Sequence, residues 1–445
     1  MPISPARVAA FDILLRVERE SSYASELLHA DTYNRLSLQD HALTMELVMG
    51  VLRWRSRLDA EIAEASSQPL SKLDLEILIA LRLALYQFRS LDRIPKRAAL
   101  HESVELVKRA RKRSAAPFVN AVLRKLSAAP PQPAADPDSA EAIASTLAHP
   151  AWLVERWIHY YGIVATAEIC RHNQRIPPTT IRLRTQTAEA ELNAQGIKLE
   201  PGSVLASARH VLSGDITKTK AFRQADIVIQ DEASQLVAIL IGRAQGEVRI
   251  LDCCAAPGGK TLAIADQNPS AEITAVEIHA HRARLLEKLV SGSKHKIATL
   301  IADATNLPLT SPYHRVLADV PCSGTGTLSR NPEIKWRLKP EDLSNLQARQ
   351  RAILRSALTH VSPGGRLVYS TCSLEKEENE DVVEEILPRD NSIRLLDCRS
   401  ELDLLKKTGD LVWPDPASLT RGPYLRTIPG IHPCDGFFAV IIEKK

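Results

Sequence analysis

Between Val248 and Tyr369, short apolar runs alternate with longer helical stretches: Val248–Leu251, Ile273–Val276, Thr299–Ile301, Arg315–Ala318 and Arg366–Tyr369, with a late run at Phe437–Ile442. Runs that are apolar throughout predict strands buried on both faces, and parallel strands need a crossover helix between them. The series therefore predicts a doubly wound, largely parallel sheet of the Rossmann-like α/β class over residues 236–445. Such sheets bind ligands beyond the carboxyl ends of their strands, so the turns that follow these runs are the places to look for chemistry.

The rest of the chain has a different texture. Apolar residues at three- and four-residue spacing, as in Leu43, Leu47, Val48, Val51 and Leu52, predict an all-α bundle over residues 1–128. Residues 129–139 contain Pro130, Pro131, Pro133 and Pro137 and read as a Pro-rich linker. From 140 to 235, helical pieces alternate with strand candidates such as Thr179–Leu183 and Ile227–Ile229, which predicts a small α+β connector. A multidomain chain follows, as 445 residues imply at about 150 per domain.

Composition excludes several classes. Apolar residues at 44% and charged residues at 25% are ordinary for globular proteins and rule out wholesale disorder. No apolar run approaches the length of a membrane span, and MPISPARVAAFDILLRVERE is too charged for a secretory signal, so no membrane association is expected. Seven cysteines without a CxxC pair argue against a disulfide framework and a closed zinc site; the expectation is a cytoplasmic protein without a metal.

Charge is concentrated rather than large. Eleven Lys and Arg between Tyr86 and Lys125 face three acids, a local +8 against +4 for the whole chain. A solvated basic face would look the same, but a surplus larger than the net charge favours a phosphate-rich partner, a nucleic acid.

Three turns carry the chemistry. The first, Asp252 to Thr261, contains Cys254, Ala255, Ala256, Pro257, Gly258, Gly259 and Lys260 between a strand and a helix. Small residues there let a ligand approach the backbone at a helix N-terminus. A phosphate-binding Walker loop would need glycine where Cys254 stands, and an ordinary tight turn is the plainer alternative. Glu277 ends the second strand, where an acid accepts ribose hydroxyls, and Asp303 ends the third, within reach of an adenine amino group. With no base beyond Lys260 in view, a nucleoside-type cofactor such as S-adenosyl-L-methionine fits better than NAD or ATP.

The second and third turns are Asp319-Val320-Pro321-Cys322 and Tyr369-Ser370-Thr371-Cys372. A lone cysteine is usually a small buried hydrophobe, but two at strand ends beside a methyl-donor site suggest work. The C5 carbon of a pyrimidine is a poor nucleophile until a thiolate adds at C6 and makes the ring an enamine. Asp319 could hydrogen-bond the N3/N4 edge; chemistry alone does not say which cysteine attacks. Arg330, Lys335, Trp336 and Arg337 follow and could clamp phosphates, or Trp336 could simply pack.

The segments CCAAPGGKT, DVPCSGTGTLSRNPEIKWR and YSTCSLEKEENE resemble those of the RNA 5-methylcytosine methyltransferases of the RsmB/NOP family. Lys96–Val104 and Phe118–Leu123 are similar to the RNA-binding NusB domain that bacterial rRNA-modifying members carry. The resemblance implies S-adenosyl-L-methionine on Cys254–Lys260, Glu277, Asp303 and Asp319. It also implies Cys372 as the nucleophile, Cys322 for product release, and Glu377, Glu378 and Asn379 shaping the turn after Cys372. The implied substrate is a cytosine of 16S rRNA, met by a monomer before or early in subunit assembly. Transfer RNA, or a non-catalytic RNA-binding role, are the rival readings. Cys170, Cys253, Cys398 and Cys434 read as structural.

Overall fold

The computed structural model describes residues 3–445 apart from 21, 31, 32, 34, 131–136, 245 and 388–391; most of the expected linker therefore lies outside the described residues. Two compact units emerge, Met1–Ile176 with Leu328–Arg337, and Pro177–Thr327 with Leu338–Lys445.

The first unit is built on the predicted bundle. Its long helix, Leu38–Ala65, starts where the Ser37 side chain accepts a hydrogen bond from the Asp40 N–H at 3.1 Å, satisfying one of the unpaired donors of the first turn. Helices Leu75–Ser90, Lys96–Arg109 and Ala116–Ala128 close around Leu47, Leu52, Leu81, Leu85, Leu106 and Leu123, all buried. At Gly50 a Cβ would lie 1.9 Å from the Tyr86 ring, so only glycine lets these helices approach.

Helices Ala140–Thr146, Ala151–Tyr161 and Ile163–Asn173 pack with this unit, and Trp157 among them is fully buried. Residues 328–337 belong to it as well, which corrects the phosphate-clamp reading. Trp336 Nε1 donates to the Leu52 carbonyl at 2.6 Å, Arg337 Nη2 to the carbonyls of Val17 and Ser22 at 2.7 and 2.6 Å, and Lys335 Nζ to that of Arg53 at 3.0 Å. These groups satisfy backbone acceptors of the bundle.

Burial lowers the Lys335 ammonium to about 7, with the Arg53 charge adding to the effect. An unfolded chain would hold that proton up to about 10.4. Between the two values the unfolded state binds more protons, so stability rises with pH across pH 7 to 10, and the burden is greatest at pH 7 and below. The Arg53 carbonyl keeps a second donor, Gln174 Nε2 at 3.1 Å. Lys335→Met is therefore expected to stabilise the protein by about 1–3 kcal/mol at pH 6.5 and to remove most of the gain seen by urea unfolding at pH 9.5. Equal pH slopes for the two proteins would contradict this.

The second unit holds two sheets. The smaller is antiparallel and comprises β1 (Thr179–Leu183), β2 (Lys198–Pro201), β3 (Ala208–Ser213) and β4 (Ile227–Ile229) in the order β2-β3-β1-β4. With helix Ala188–Ala194 it forms the expected α+β layer. Among the described residues the larger has nine strands: β5 (Arg249–Asp252), β6 (Glu272–Glu277), β7 (Lys296–Ile301), β8 (Tyr313–Asp319), β9 (Val361–Thr371), β10 (Ile393–Leu396), β11 (Thr420–Arg421), β12 (Tyr424–Arg426) and β13 (Phe438–Lys444). Its order is β11-β12-β13-β9-β8-β5-β6-β7, with β10 on β13. Strands β5 to β9 are mutually parallel, and β13 adds antiparallel to β9. From β5 the chain winds outward to β7 and then returns to β8 on the other side. The reversal leaves a crevice at the carboxyl ends of β5 and β8, where a doubly wound sheet binds ligands.

Among the described residues no helix is long and apolar enough to cross a membrane.

Candidate active site

The turn after β5 lies in that crevice. The Cys253 N–H donates to the Leu317 carbonyl and the Ala255 N–H to that of Val276, both at 2.8 Å, so the turn is stitched to both neighbouring strands. Gly258, with φ of +111°, is left-handed, and a Cβ there would meet Leu286 at 2.8 Å, so both conformation and space require glycine. Helix Gly259–Gln267 follows at once. Asp252 is fully enclosed and accepts from Thr261 Oγ1 at 2.7 Å; burial pushes its carboxyl up to about 6.

Around this turn the acids differ in setting. Glu277 is buried at the end of β6 and accepts from the His279 N–H at 2.9 Å. Asp303, beyond β7, is exposed, and the Thr305 N–H holds its carboxyl below the usual range. Asp319 ends β8: one oxygen pairs with Lys260 Nζ at 2.7 Å, the other accepts from Ser370 Oγ at 2.7 Å. Burial alone would lower Lys260; Asp319, with a contribution from Cys372, outweighs it and holds the ammonium above its ordinary value. Arg282, which the sequence reading did not place, donates to the Ala256 carbonyl at 3.3 Å and lies 3.7 Å from Glu277. The setting fits a nucleoside-type group: a glycine cradle, a buried acid at the ribose position, and both nearby cations already engaged rather than waiting for a phosphate.

The two cysteine turns meet. Cys322 Sγ lies 3.3 Å from Cys372 Sγ, and both side chains are half-buried. The hydrogen bond to Cys372 and then burial push the Cys322 thiol up. Backbone contacts set the approach: the Gly326 N–H donates to the Cys372 carbonyl at 2.9 Å, and a Cβ on Gly326 would lie 2.1 Å from the Gly436 carbonyl oxygen.

Glu378 holds the turns in register. One carboxylate oxygen accepts from the Ser323 N–H and from Gln350 Nε2, both at 2.8 Å; the other accepts from the hydroxyls of Ser323 and Ser373, both at 2.5 Å. Its side chain is fully buried. Asn379 supports the same turn, accepting from Thr371 Oγ1 at 2.5 Å and donating to the Ser373 carbonyl at 2.9 Å. Glu378 reads from sequence only as one of three polar residues after Cys372; its reach back to Ser323 has no local signal.

A Bacillus subtilis (strain 168) protein named "Probable ribosomal RNA small subunit methyltransferase B" is 32% identical over 461 residues and covers 100% of both chains. The chain belongs to the RsmB/F family of rRNA methyltransferases. The family model described as 16S rRNA methyltransferase RsmB/F matches residues 238–443, the NusB family model residues 4–128, and an RsmF/B-like ferredoxin-like domain residues 149–212. Ribosomal RNA small subunit methyltransferase B of Pasteurella multocida (strain Pm70) is 32% identical over 87% of this chain and 88% of its own. The crystal structure of PH0851 has the same fold, with a TM-score of 0.81 at 24% identity over 100% of both chains. As an RsmB/F member the protein is an RNA methyltransferase, and its NusB-like bundle, ferredoxin-like connector and mixed-sheet methyltransferase domain are the three parts read from the sequence. Cys170, Cys253, Cys398 and Cys434 are buried free thiols, as expected of structural cysteines.

Proposed function

We propose that the protein methylates the C5 carbon of a cytosine in 16S rRNA through a transient bond between Cys372 and C6. The 3.3 Å approach of Cys322 to Cys372 beyond adjacent parallel strands carries this reading. Residues Cys254–Lys260 with Glu277, Asp303 and Asp319 would hold S-adenosyl-L-methionine, which when bound supplies an electrophilic methyl group. The Cys372 thiolate adds to C6, and the electron pair moves toward C5 as the ring becomes an enamine. Asp319, fixed by Lys260 and Ser370, retains lone pairs for the cytosine amino edge. After transfer, the thiolate form of Cys322 accepts the C5 proton, the electron pair of the C5–H bond re-forms the C5–C6 double bond, and the sulfur of Cys372 leaves with the pair of its bond to C6. The target base must be unstacked, since neither carbon is reachable within a helix.

Denaturing gels test the division of labour. Cys322→Ala is expected to accumulate a covalent protein–RNA adduct on ordinary substrate RNA, because release is impaired while attack is not. If no adduct accumulates, Cys322 has no part in release. Bisulfite mapping of ribosomal and transfer RNA from cells lacking the protein distinguishes the 16S target from a transfer RNA.

The basic face supports RNA as the partner with a smaller surplus than the sequence implied. Asp12, Glu61 and Asp74, all outside the counted window, pair with Arg109, Arg89 and Lys112. Among the described residues Arg97, Arg111, Arg113 and Arg124 are exposed without a carboxylate partner. Since residues 328–337 belong to the helical unit, substitution is a cleaner probe than truncation. Changing these four arginines to glutamine is expected to weaken RNA binding at low salt and flatten log Kd against log salt by roughly 0.7–0.9 for each phosphate no longer neutralised. An unchanged slope would make the face a solvated surface only.

A further inference from the structure

On one face of the larger sheet, between helices Glu232–Ile239, Gly259–Gln267 and Cys398–Thr408, lies a cavity of 860 Å³. It sits toward the amino ends of β8 and β9: Arg315, on its wall, precedes Asp319 by four residues, roughly 13 Å along the strand. The active-site turns occupy the opposite end of the strands.

Two observations mark this cavity as more than a packing gap. Arg315 and Arg366 stand directly opposite each other in the β8–β9 register, so both side chains leave the same face and both line the cavity. Like charges at paired strand positions repel, and of the two Arg366 has the direct ion pair, with Glu401 at 2.9 Å. Arg182, on the wall beside them, is only 7% exposed and gives Nη1 to Asp266 at 2.6 Å, yet its Nε and Nη2 have no acceptor among the described residues. Arg315 Nε is in the same position. Asp266 cannot compensate, being shared with Arg184 and His295. Such donors call for a partner, and rotation of the guanidinium groups toward the cavity they line would present them to one.

We propose that this cavity binds a phosphate monoester with a nucleoside-sized body. Guanidinium groups from β1, β8 and β9 offer the forked donors that phosphate oxygens match. Exposed Arg243 adds a fourth positive charge against the acids Asp266, Glu401 and Asp410. Ile239, Leu240, Leu404 and Leu405 form apolar walls of the same cavity, suited to a base or sugar rather than to a bare ion. The phosphate can come from a free mononucleotide or from the 5′ end of an RNA.

Calorimetry on the full chain with guanosine 5′-monophosphate, guanosine and inorganic phosphate tests this. The monophosphate is expected to bind, with guanosine about tenfold weaker or more. Arg315→Gln, and separately the exposed Arg243→Gln, should each weaken the monophosphate and leave binding of the methyl donor unchanged. Competition by a 5′-phosphorylated RNA oligonucleotide, but not by its 5′-hydroxyl form, would identify the RNA end as the source; absence of competition would identify the free nucleotide. No binding of the monophosphate to the wild-type protein, or binding by both variants equal to that of wild type, overturns the proposal.

Discussion

Replacing Cys372 by alanine is expected to lower methyl transfer about 10⁴-fold or more, equivalent to roughly 5.5 kcal/mol of transition-state stabilisation, with little change in folding stability. The size follows from its task. Without sulfur at C6 the C5 carbon remains an unactivated aromatic position, and in the proposed division of labour Cys322, 3.3 Å away, serves release and not attack. The half-buried side chain fills little core volume, so a cavity penalty should be small. Single-turnover methyl transfer on substrate RNA gives the rate, and RNA carrying 5-azacytidine gives the covalent species directly. The Cys372→Ala protein should form no adduct. An adduct that survives in Cys372→Ala and is lost in Cys322→Ala would reverse the two roles.

Glu378→Ala is expected to be the most damaging substitution outside the reacting groups, costing about 3–5 kcal/mol of stability. Four donors converge on this carboxylate: the Ser323 N–H, the hydroxyls of Ser323 and Ser373, and Gln350 Nε2. Removing it leaves the Ser323 N–H unpaired in a fully buried site and takes from Gln350 Nε2 and the two hydroxyls an acceptor that their remaining contacts, the Pro321 carbonyl at 2.9 Å and the Ser323–Ser373 hydroxyl pair at 3.0 Å, only partly replace. Ser323 directly follows Cys322 and Ser373 directly follows Cys372, so loss of the bridge should also misplace the sulfurs. A displacement near 1 Å costs about a hundredfold in rate. Glu378 is a positioning residue, and its test separates positioning from stability: Glu378→Gln, which keeps the shape and one acceptor oxygen, should recover most of the melting temperature and part of kcat, while KM for RNA stays near wild type in both variants. A full-rate Glu378→Ala protein would end this account.

The strand runs and all three turns were legible because each is a local pattern. Alternation of apolar strands with helices, glycine at a turn and cysteine after a strand are written within about ten consecutive residues. The failures share a different cause. Lys335, Trp336 and Arg337 are residue types that read as an RNA clamp, yet their partners are carbonyls of Arg53, Leu52, Val17 and Ser22, about three hundred positions away in sequence. The basic surplus was overstated because Asp12, Glu61 and Asp74 reach in from outside the window.

The class of sheet, the strand ends that carry the cysteines and the small-residue turn that admits a ligand are all written in the order of residues. Periodicity and turn chemistry act between near neighbours, so one chain segment suffices to express them. Folding in three dimensions was needed to bring Cys322 against Cys372, to lock their turns together through Glu378, and to gather arginines from β1, β8 and β9 around one cavity. Hydrogen bonds and charge pairs are short-ranged in space and indifferent to sequence separation, so their partners are chosen by the fold and not by the neighbouring residues.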